Sequence, residues 1–356
     1  MTELARVSRS RHTNLFNGLA GLVLLVVLAA LPFLVDEGFT TILVNLFILL
    51  ALASMWNLLA GYGGLVSVGQ QAYIGLGAYT VLVLAQNGIS PFWGVLGAIV
   101  VGGVLAVPAS WLLFRLSGAY FAIATWVLAV VAAIIITGIP SLGAGTGAAV
   151  PGMLTINAVL LGAVTYWISL AVAVGSVLAV FLLLRSRLGL MLTAIRDNEL
   201  AARSVGGKVV RAKLSVYLVS AAGCAAVGAV IAISQLNVQA SNVFNIQWTA
   251  EMIFAVLIGG MGSIEGPIIG SVVFIALQQT LSQYNGWYLV VVGLVAMAVA
   301  IWVRGGVWGF WADRSSFRLF SVGYFLHAQP KGPRTGPPTN GRFRRPRWLR
   351  GAQRPG

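Results

Sequence analysis

Residues able to carry out catalytic chemistry are scarce in this sequence. The 356 residues include two histidines, His12 and His327, near the two ends, and a single cysteine, Cys224, in an apolar run. A zinc site draws three or four ligands from closely spaced Cys, His, Asp or Glu residues, and one cysteine leaves no such spacing. A lone cysteine also excludes a disulfide within the chain. We therefore predict no catalytic residue, no metal site and no cofactor.

The nearest approach to a nucleotide-binding loop is Gly206-Gly207-Lys208. A P-loop requires a glycine, four further residues and then Gly-Lys-Ser/Thr, so that backbone N–H groups surround the phosphates. Here Val209 occupies the Ser/Thr position and the first glycine is absent. We therefore do not expect the chain itself to bind ATP through this motif.

The charge distribution excludes an ordinary soluble fold. Hydrophobic residues make up 59% of the chain and charged residues 8%, against about 25% charged in typical soluble domains. Residues 38–184 contain one charged side chain, Arg115, and residues 214–303 contain two, Glu251 and Glu265. Ionisable groups are costly in hydrocarbon, so such stretches are typical of membrane spans. The net charge of +14 comes from separate clusters at membrane borders and in the tail, so we predict contact with membrane lipid and not with nucleic acid.

The apolar stretches have helical length. A helix needs about 20 mostly apolar residues to cross the hydrocarbon core, and no alternation typical of barrel strands occurs. We predict an all-α integral membrane protein, a polytopic bundle of about 8–10 transmembrane helices with short broken or re-entrant glycine-rich segments. The predicted spans are 17–35, 40–60, 65–86, 92–114, 119–139, 158–184, 214–236, 267–283 and 287–303, with a short further segment at 250–262.

Basic residues predict the orientation. Arginines before residue 12, Arg115, the loop 185–213 and Arg304 all lie between or beyond predicted spans, and such residues stay on the cytoplasmic side. Both termini are therefore predicted to be cytoplasmic. The domains are a cytoplasmic segment 1–16, a membrane domain 17–311 and a basic, Pro/Gly-rich tail 312–356, which lacks core-forming residues and is predicted to be disordered.

Two glycine-rich segments, 61–77 and 259–270, interrupt the apolar pattern. Broken helices at corresponding places in two halves of a transporter often line the substrate path. The alternative is that the glycines serve close helix packing. As residues of the path we predict Gly63, Gly64, Ser67, Gly69, Gln70, Gly259, Gly260, Gly262 and Ser263.

The cytoplasmic loop 185–213 contains a predicted short helix. Asp197 or Asn198 can cap its start, Glu199 suits the positive end of the helix dipole, and Gly206 or Gly207 can end it. The helix would span about eight residues, or about 12 Å, with alanines on a slim face that could enter a groove on a partner. The alternative is a plain basic loop. The predicted docking residues are Asn198, Glu199, Ala201, Ala202, Arg203 and Gly206.

These motifs together resemble a known family. The stretch Glu199-Leu-Ala-Ala-Arg-Ser-Val-Gly206 resembles the coupling helix of ABC importer permeases, and the longer stretch 187–214 resembles the LivM-type permeases of branched-chain amino acid transporters. The resemblance runs in order over about residues 17–311. Further matching pieces are Asn57-Leu-Leu-Ala-Gly, Gly75-Leu-Gly-Ala-Tyr, Gly118-Ala-Tyr-Phe and Gly259-Gly-Met-Gly-Ser-Ile-Glu-Gly-Pro.

The resemblance implies a translocation subunit without enzymatic activity of its own. Its implied partners are a second permease of the LivH type, two cytoplasmic ATPase subunits and an extracytoplasmic amino-acid-binding protein. Leu, Ile and Val are the implied substrates, although Gln70, where the family often has His, leaves the substrate open. Alternatives are an ABC permease for urea, amides or sugars, or an ion-coupled secondary transporter that uses Glu251 or Glu265.

Overall fold

The structure, a computed structural model, describes residues 6–8, 13–153, 157–197, 199–204, 206–281, 287–302, 305–314 and 325–327. The chain divides into two compact units, one of residues 11–322 and one of residues 1–10 with 323–356. Within the smaller unit, the strand Arg6–Ser8 pairs antiparallel with the strand Phe325–His327.

The larger unit is built almost entirely of helices in the part that the structure describes. They are α1 (Thr13–Ala30), α2 (Glu37–Asn57, continued by the π-helical turn Leu58–Tyr62), α3 (Gln71–Gln86), α4 (Gly94–Leu113), α5 (Ala119–Thr137), α6 (Ala158–Arg185), α7 (Arg187–Asp197), α8 (Glu199–Ser204), α9 (Val209–Gln235), α10 (Ala240–Val243), α11 (Gln247–Gly259), α12 (Glu265–Leu281), α13 (Trp287–Trp302) and α14 (Gly306–Arg314). Short 3₁₀ turns form at Leu31–Phe33 and Pro140–Leu142, and the two-residue strands Ala148–Ala149 and Asn237–Val238 pair antiparallel.

Five of these elements are long and apolar enough to cross a membrane within the described residues: α2 with its π turn, α4, α5, α6 and α9. Two shorter apolar stretches, Val23–Phe33 and Val290–Val299, accompany them. A helix satisfies all its backbone hydrogen bonds internally, which hydrocarbon demands. The prediction of an all-α, multi-pass membrane protein is confirmed.

The centre of the bundle is formed by α2 and α9. The buried share of the apolar membrane-spanning stretch is 72% in α2 and 78% in α9, against 17% in α5. Small residues allow the close approach: a Cβ at Gly77 or Gly102 would collide with Ala225 of α9. Such contacts are the usual means by which membrane helices associate. The outer faces of α4 and α5 remain open to lipid or to a partner.

The predicted span 65–86 is wrong at its start, because residues 63–70 are not helical and α3 begins at Gln71. The break coincides with Gly64, whose φ of +66° suits glycine and few other residues. The second glycine segment likewise separates two shorter helices, α11 and α12. The loop 185–213 contains α7 as well as the predicted short helix, here α8.

Most of the predicted tail 312–356 lies outside the described residues. Its described parts are residues 312–314, which end α14, and the strand Phe325–His327. The disorder of the tail stays a prediction.

Candidate translocation path and coupling loop

The helix α8 is held at its first turn by Glu199. One carboxylate oxygen accepts a bond from Arg203 Nη2 at 2.7 Å, and the other from Lys213 Nζ at 2.7 Å. The hydrogen bond from Lys213, and then the bond from Arg203, lower the pKa of the Glu199 carboxyl. Because Lys213 belongs to α9, this ion pair fixes the short helix to a membrane-spanning helix.

Glycine ends α8 as predicted. Gly206 has a φ of +82°, and the N–H of Gly207 donates to the carbonyl of Ala202 at 3.0 Å. This is the common way in which a helix C-terminus satisfies its last carbonyls. Asn198, the predicted cap, lies outside the described residues.

The two sides of α8 differ in exposure. The side chain of Ala202 is buried within this chain, 3% exposed, whereas Arg203 and Ser204 are exposed. Among the side chains of α8 that the structure describes, Arg203 and Ser204 are therefore open to a partner and Ala202 is not, whereas the side chain of Ala201 lies outside the described set. Beside α8 lies an open cleft of about 350 Å³ lined by Arg203, Gly207, Lys208, Val209, Val210 and Arg211. The docking role of the predicted residues stays a prediction.

The two glycine-rich segments meet at Asn57. Its Nδ2 donates to the carbonyl of Ser263 at 2.8 Å, and its Oδ1 accepts from the N–H of Gly262 at 2.9 Å. Asn57 is 1% exposed at the end of α2. One side chain thus connects α2, which precedes the first glycine segment, to the second segment, more than 200 residues away.

Close backbone approach explains several of the glycines at this junction. A Cβ at Gly61 would lie 2.8 Å from the backbone nitrogen of Gly262. Gly260 has a φ of +124°, and a Cβ there would collide with the carbonyl oxygen of Gly305. Arg196 of α7 also reaches this place, because its Nη1 would lie 3.0 Å from a Cβ at Gly262. The loop 185–213 therefore contacts the junction of the two glycine segments.

The first glycine segment is packed against α5 and α2. The hydroxyl of Thr125 accepts from the N–H of Val68 at 3.1 Å, and a Cβ at Gly69 would collide with the Thr125 carbonyl. The indole of Trp56 donates to the carbonyl of Ser67 at 2.9 Å, and Ser67 Oγ accepts from the N–H of Gly69 at 3.2 Å. These contacts hold residues 67–69 in a non-helical conformation inside the protein.

The remaining predicted path residues differ in how closely they are packed. A Cβ at Gly63 would lie 3.2 Å from Val216, and one at Gly259 would collide with the Gly266 carbonyl, whereas a Cβ at Gly64 would meet nothing within 4 Å. Ser263 Oγ accepts from the N–H of Gly266 at 3.0 Å. The structure thus brings both predicted glycine segments together, and their role as a substrate path stays a prediction.

Glu251 and Glu265, the ion carriers of the alternative prediction, are both buried. Glu251 is 9% exposed and accepts a bond from Gln247 Nε2 at 2.8 Å, and Glu265 is 6% exposed as the first residue of α12. Within the described residues no group of three or more His, Cys, Asp or Glu side chains could hold a metal ion.

Sequence reasoning missed the residues that connect these elements, which are Asn57, Thr125, Arg196, Gln71 and Thr249. The hydroxyl of Thr249 donates to Gln71 Oε1. A signal was available for Asn57, Gln71 and Thr125, which are polar residues inside apolar runs. Such residues in a membrane protein usually face the protein interior.

Comparison with known proteins agrees with this architecture. Residues 38–303 match the profile of the family described as the permease component of branched-chain amino acid transport systems. The chain belongs to this family. The match begins at α2 and extends through α13, so it includes both glycine segments and the loop 185–213 of this permease component.

Named relatives support the same placement. The permease is 26% identical over 316 residues to the high-affinity branched-chain amino acid transport permease LivM of Salmonella typhimurium and 27% identical over 318 residues to LivM of Escherichia coli, each match covering 80% of this chain and 73% of the relative. It is also 26% identical over 124 residues, 35% of this chain and 36% of the relative, to a probable LivM permease of Methanocaldococcus jannaschii. No solved structure matches the chain.

Proposed function

We propose that this chain is the permease subunit of an ATP-driven importer and forms the translocation path for branched-chain amino acids. The observation that carries the proposal is the family match over residues 38–303. The short α8, attached by Glu199 to a membrane-spanning helix, supports a role in coupling to an ATPase. The chain hydrolyses no ATP itself in this scheme.

The proposed importer contains further subunits. A second permease of the LivH type completes the path, two cytoplasmic ATPases drive it, and an extracytoplasmic binding protein delivers the amino acid. The open apolar faces of α4 and α5 are compatible with contact to lipid and to the second permease. The complex lies in the plasma membrane of a prokaryote, with both chain termini in the cytoplasm.

The proposed mechanism links the loop to the path through α7. Closure of the ATPases on ATP displaces α8, and α7 moves with it because the two helices are separated by a single residue. Arg196 of α7 lies beside Gly262, so that motion reaches the junction at Asn57. Alternation between inward- and outward-facing arrangements then moves the substrate.

Uptake in proteoliposomes tests the function. The chain is reconstituted with the proposed second permease, ATPases and binding protein, and uptake of radiolabelled leucine is measured with ATP or with a non-hydrolysable analogue. ATP-dependent leucine uptake is expected. Uptake of urea, an amide or a sugar in place of leucine would assign another solute, and uptake driven by an ion gradient without ATP would replace the ATP-driven scheme.

Docking is tested at the exposed surface of α8. Ser204→Trp adds bulk where Ser204 is exposed, whereas Ser90→Trp makes the same change in the exposed loop between α3 and α4. We expect Ser204→Trp to weaken co-purification with the ATPases and to reduce uptake, and Ser90→Trp to do neither. Equal behaviour of the two variants would refute the coupling role of α8.

Orientation is tested with the same two positions. The native Cys224 is fully buried, so it gives little background with a membrane-impermeant maleimide applied to intact cells. Ser90→Cys is expected to react from outside, and Ser204→Cys only after the membrane is opened. The reverse pattern would overturn the proposed topology.

A further inference from the structure

The helix α3 begins in the interior of the bundle, not at a membrane surface. Its Tyr73 hydroxyl bonds to the hydroxyl of Tyr217 at 2.8 Å, and a Cβ at Gly228 would collide with the carbonyl of Ile74. Tyr217 and Gly228 both lie within the 27-residue α9. The first turn of α3 therefore lies beside the middle part of a membrane-spanning helix.

Gln70 occupies the N-cap position of α3, and its side chain makes no capping hydrogen bond. The N–H of Ala72 donates to the Gly69 carbonyl at 3.1 Å, and the N–H of Gly69 donates to Ser67 Oγ at 3.2 Å. For the N–H groups of Gln70 and Gln71 the described residues provide no such partner. The first turn of α3 contains no acidic residue to balance the positive end of the helix dipole.

The side chain of Gln70 is a second and independent anomaly. It is 1% exposed, and neither its Nε2 nor its Oε1 has a hydrogen-bond partner in the described part of the chain. The neighbouring Gln71, equally buried, accepts a bond from Thr249. Buried polar groups are almost always paired, and an unpaired amide is costly. Gln70 therefore has bonding capacity for a group that enters this place.

The chemistry of the place favours an anion. An uncapped helix N-terminus presents N–H groups and a partial positive charge, which is a common setting for carboxylates. The amide of Gln70 adds two N–H donors. Residues 63–74 include no charged side chain, so this segment itself contributes dipoles and no full charge. Broken transporter helices present their N-terminal ends to anionic substrate groups in this way.

We propose that Gln70 and the uncapped start of α3 bind the carboxylate of the transported amino acid. This inference rests on the proposed function, since it names the contact of the substrate within that path. A site without a full opposite charge can hold the carboxylate and still release it, as transport requires. The junction at Asn57 is a separate element, which connects the path to the loop.

The test uses the complete reconstituted importer with Gln70→Leu and, as matched control, Gln86→Leu in the same helix. Gln86 is exposed at the other end of α3 and donates to the carbonyl of Ser141 at 3.1 Å. Uptake of leucine is measured with and without leucinamide, which lacks the carboxylate, as competitor. Every variant uses the same binding protein, so a changed preference reports on the permease.

Loss of a hydrogen bond to a charged group corresponds to about tenfold to a hundredfold in affinity. At low leucine concentration, we expect uptake by Gln70→Leu to be lower than uptake by the wild type by about that factor. We also expect its preference for leucine over leucinamide to be weaker than that of the wild type. Its thermal midpoint and ATPase association should be unchanged or improved, because an unpaired buried amide has been removed. Gln86→Leu should match the wild type throughout.

Two results would overturn the inference. One is normal uptake and preference in Gln70→Leu. The other is loss of uptake together with lowered thermal stability or lost ATPase association, because Gln70 would then have a structural role. A wild-type importer that takes up no amino acid would refute the proposed function instead, so the two failures are distinguishable.

Discussion

Replacing Asn57 with alanine should loosen the junction between the two glycine segments. The change removes two hydrogen bonds, to the N–H of Gly262 and to the carbonyl of Ser263, at a side chain that is 1% exposed. Each backbone group left without a partner costs about 1–3 kcal/mol. We expect a loss of about 2–4 kcal/mol in the free energy of unfolding, which corresponds to a midpoint about 5 °C lower.

The chain contains its own reporter for this measurement. Cys224 is the single cysteine and is fully buried, so its reaction with a fluorogenic maleimide follows unfolding in detergent. The matched control is Asn87→Ala, because Asn87 is exposed and donates to Val83 within its own helix at 2.8 Å. That variant should stay within about 0.5 kcal/mol of the wild type.

Equal midpoints for the two alanine variants would refute the reasoning, because the Asn57 bonds would then contribute no more than a surface bond. A lower midpoint with unchanged leucine uptake would leave the stabilising role intact. It would refute the proposal that the junction transmits motion from the loop to the path.

Three further predictions concern the loop, the second glycine segment and the tail. Glu199→Gln should speed hydrogen exchange in α8 at pH 7. Because ion pairing lowers the pKa of Glu199, the carboxylate stabilises α8 at high pH, and this stabilisation fades as the pH falls below the ordinary value of 4.5. The variant and the wild type should therefore exchange at similar rates at low pH. Gly260→Ala should lower both the thermal midpoint and uptake, because its φ is +124° and the added Cβ meets the Gly305 carbonyl, whereas Gly103→Ala, with open space around it, should change neither. Removal of residues 329–356 should leave uptake largely intact, and a truncated chain that inserts normally but transports nothing would contradict this.

The membrane-spanning helices could be predicted from the sequence because their signal is local. An apolar run of sufficient length must form a helix in hydrocarbon, whatever its neighbours are. Glu37–Tyr62, Ala119–Thr137 and Ala158–Arg185 accordingly lie close to their predicted bounds. The short helix α8 was equally accessible, since an acidic first turn and a terminal glycine lie within eight residues of each other.

The start of α3 was harder to predict. Residues 65–70 continue the apolar pattern of the predicted span, and the contacts that keep them out of the helix, of Ser67 with Trp56 and of Val68 with Thr125, come from distant parts of the chain. The face of α8 was also undetermined, because an alanine is compatible with a docking surface and with burial against the same chain. The structure buries Ala202 and exposes Arg203.

What the sequence by itself determined is therefore the class of protein, most of its spans, the short helix in the loop 185–213 and the two glycine segments. Each depends on residues within a few positions of one another. Only the tertiary structure decided that Asn57 joins the glycine segments, that Arg196 reaches Gly262, and that Gln70 is buried without a partner. The physical reason is that hydrogen bonding and close packing at these sites involve residues far apart in the chain, and composition and periodicity contain no record of which of them meet.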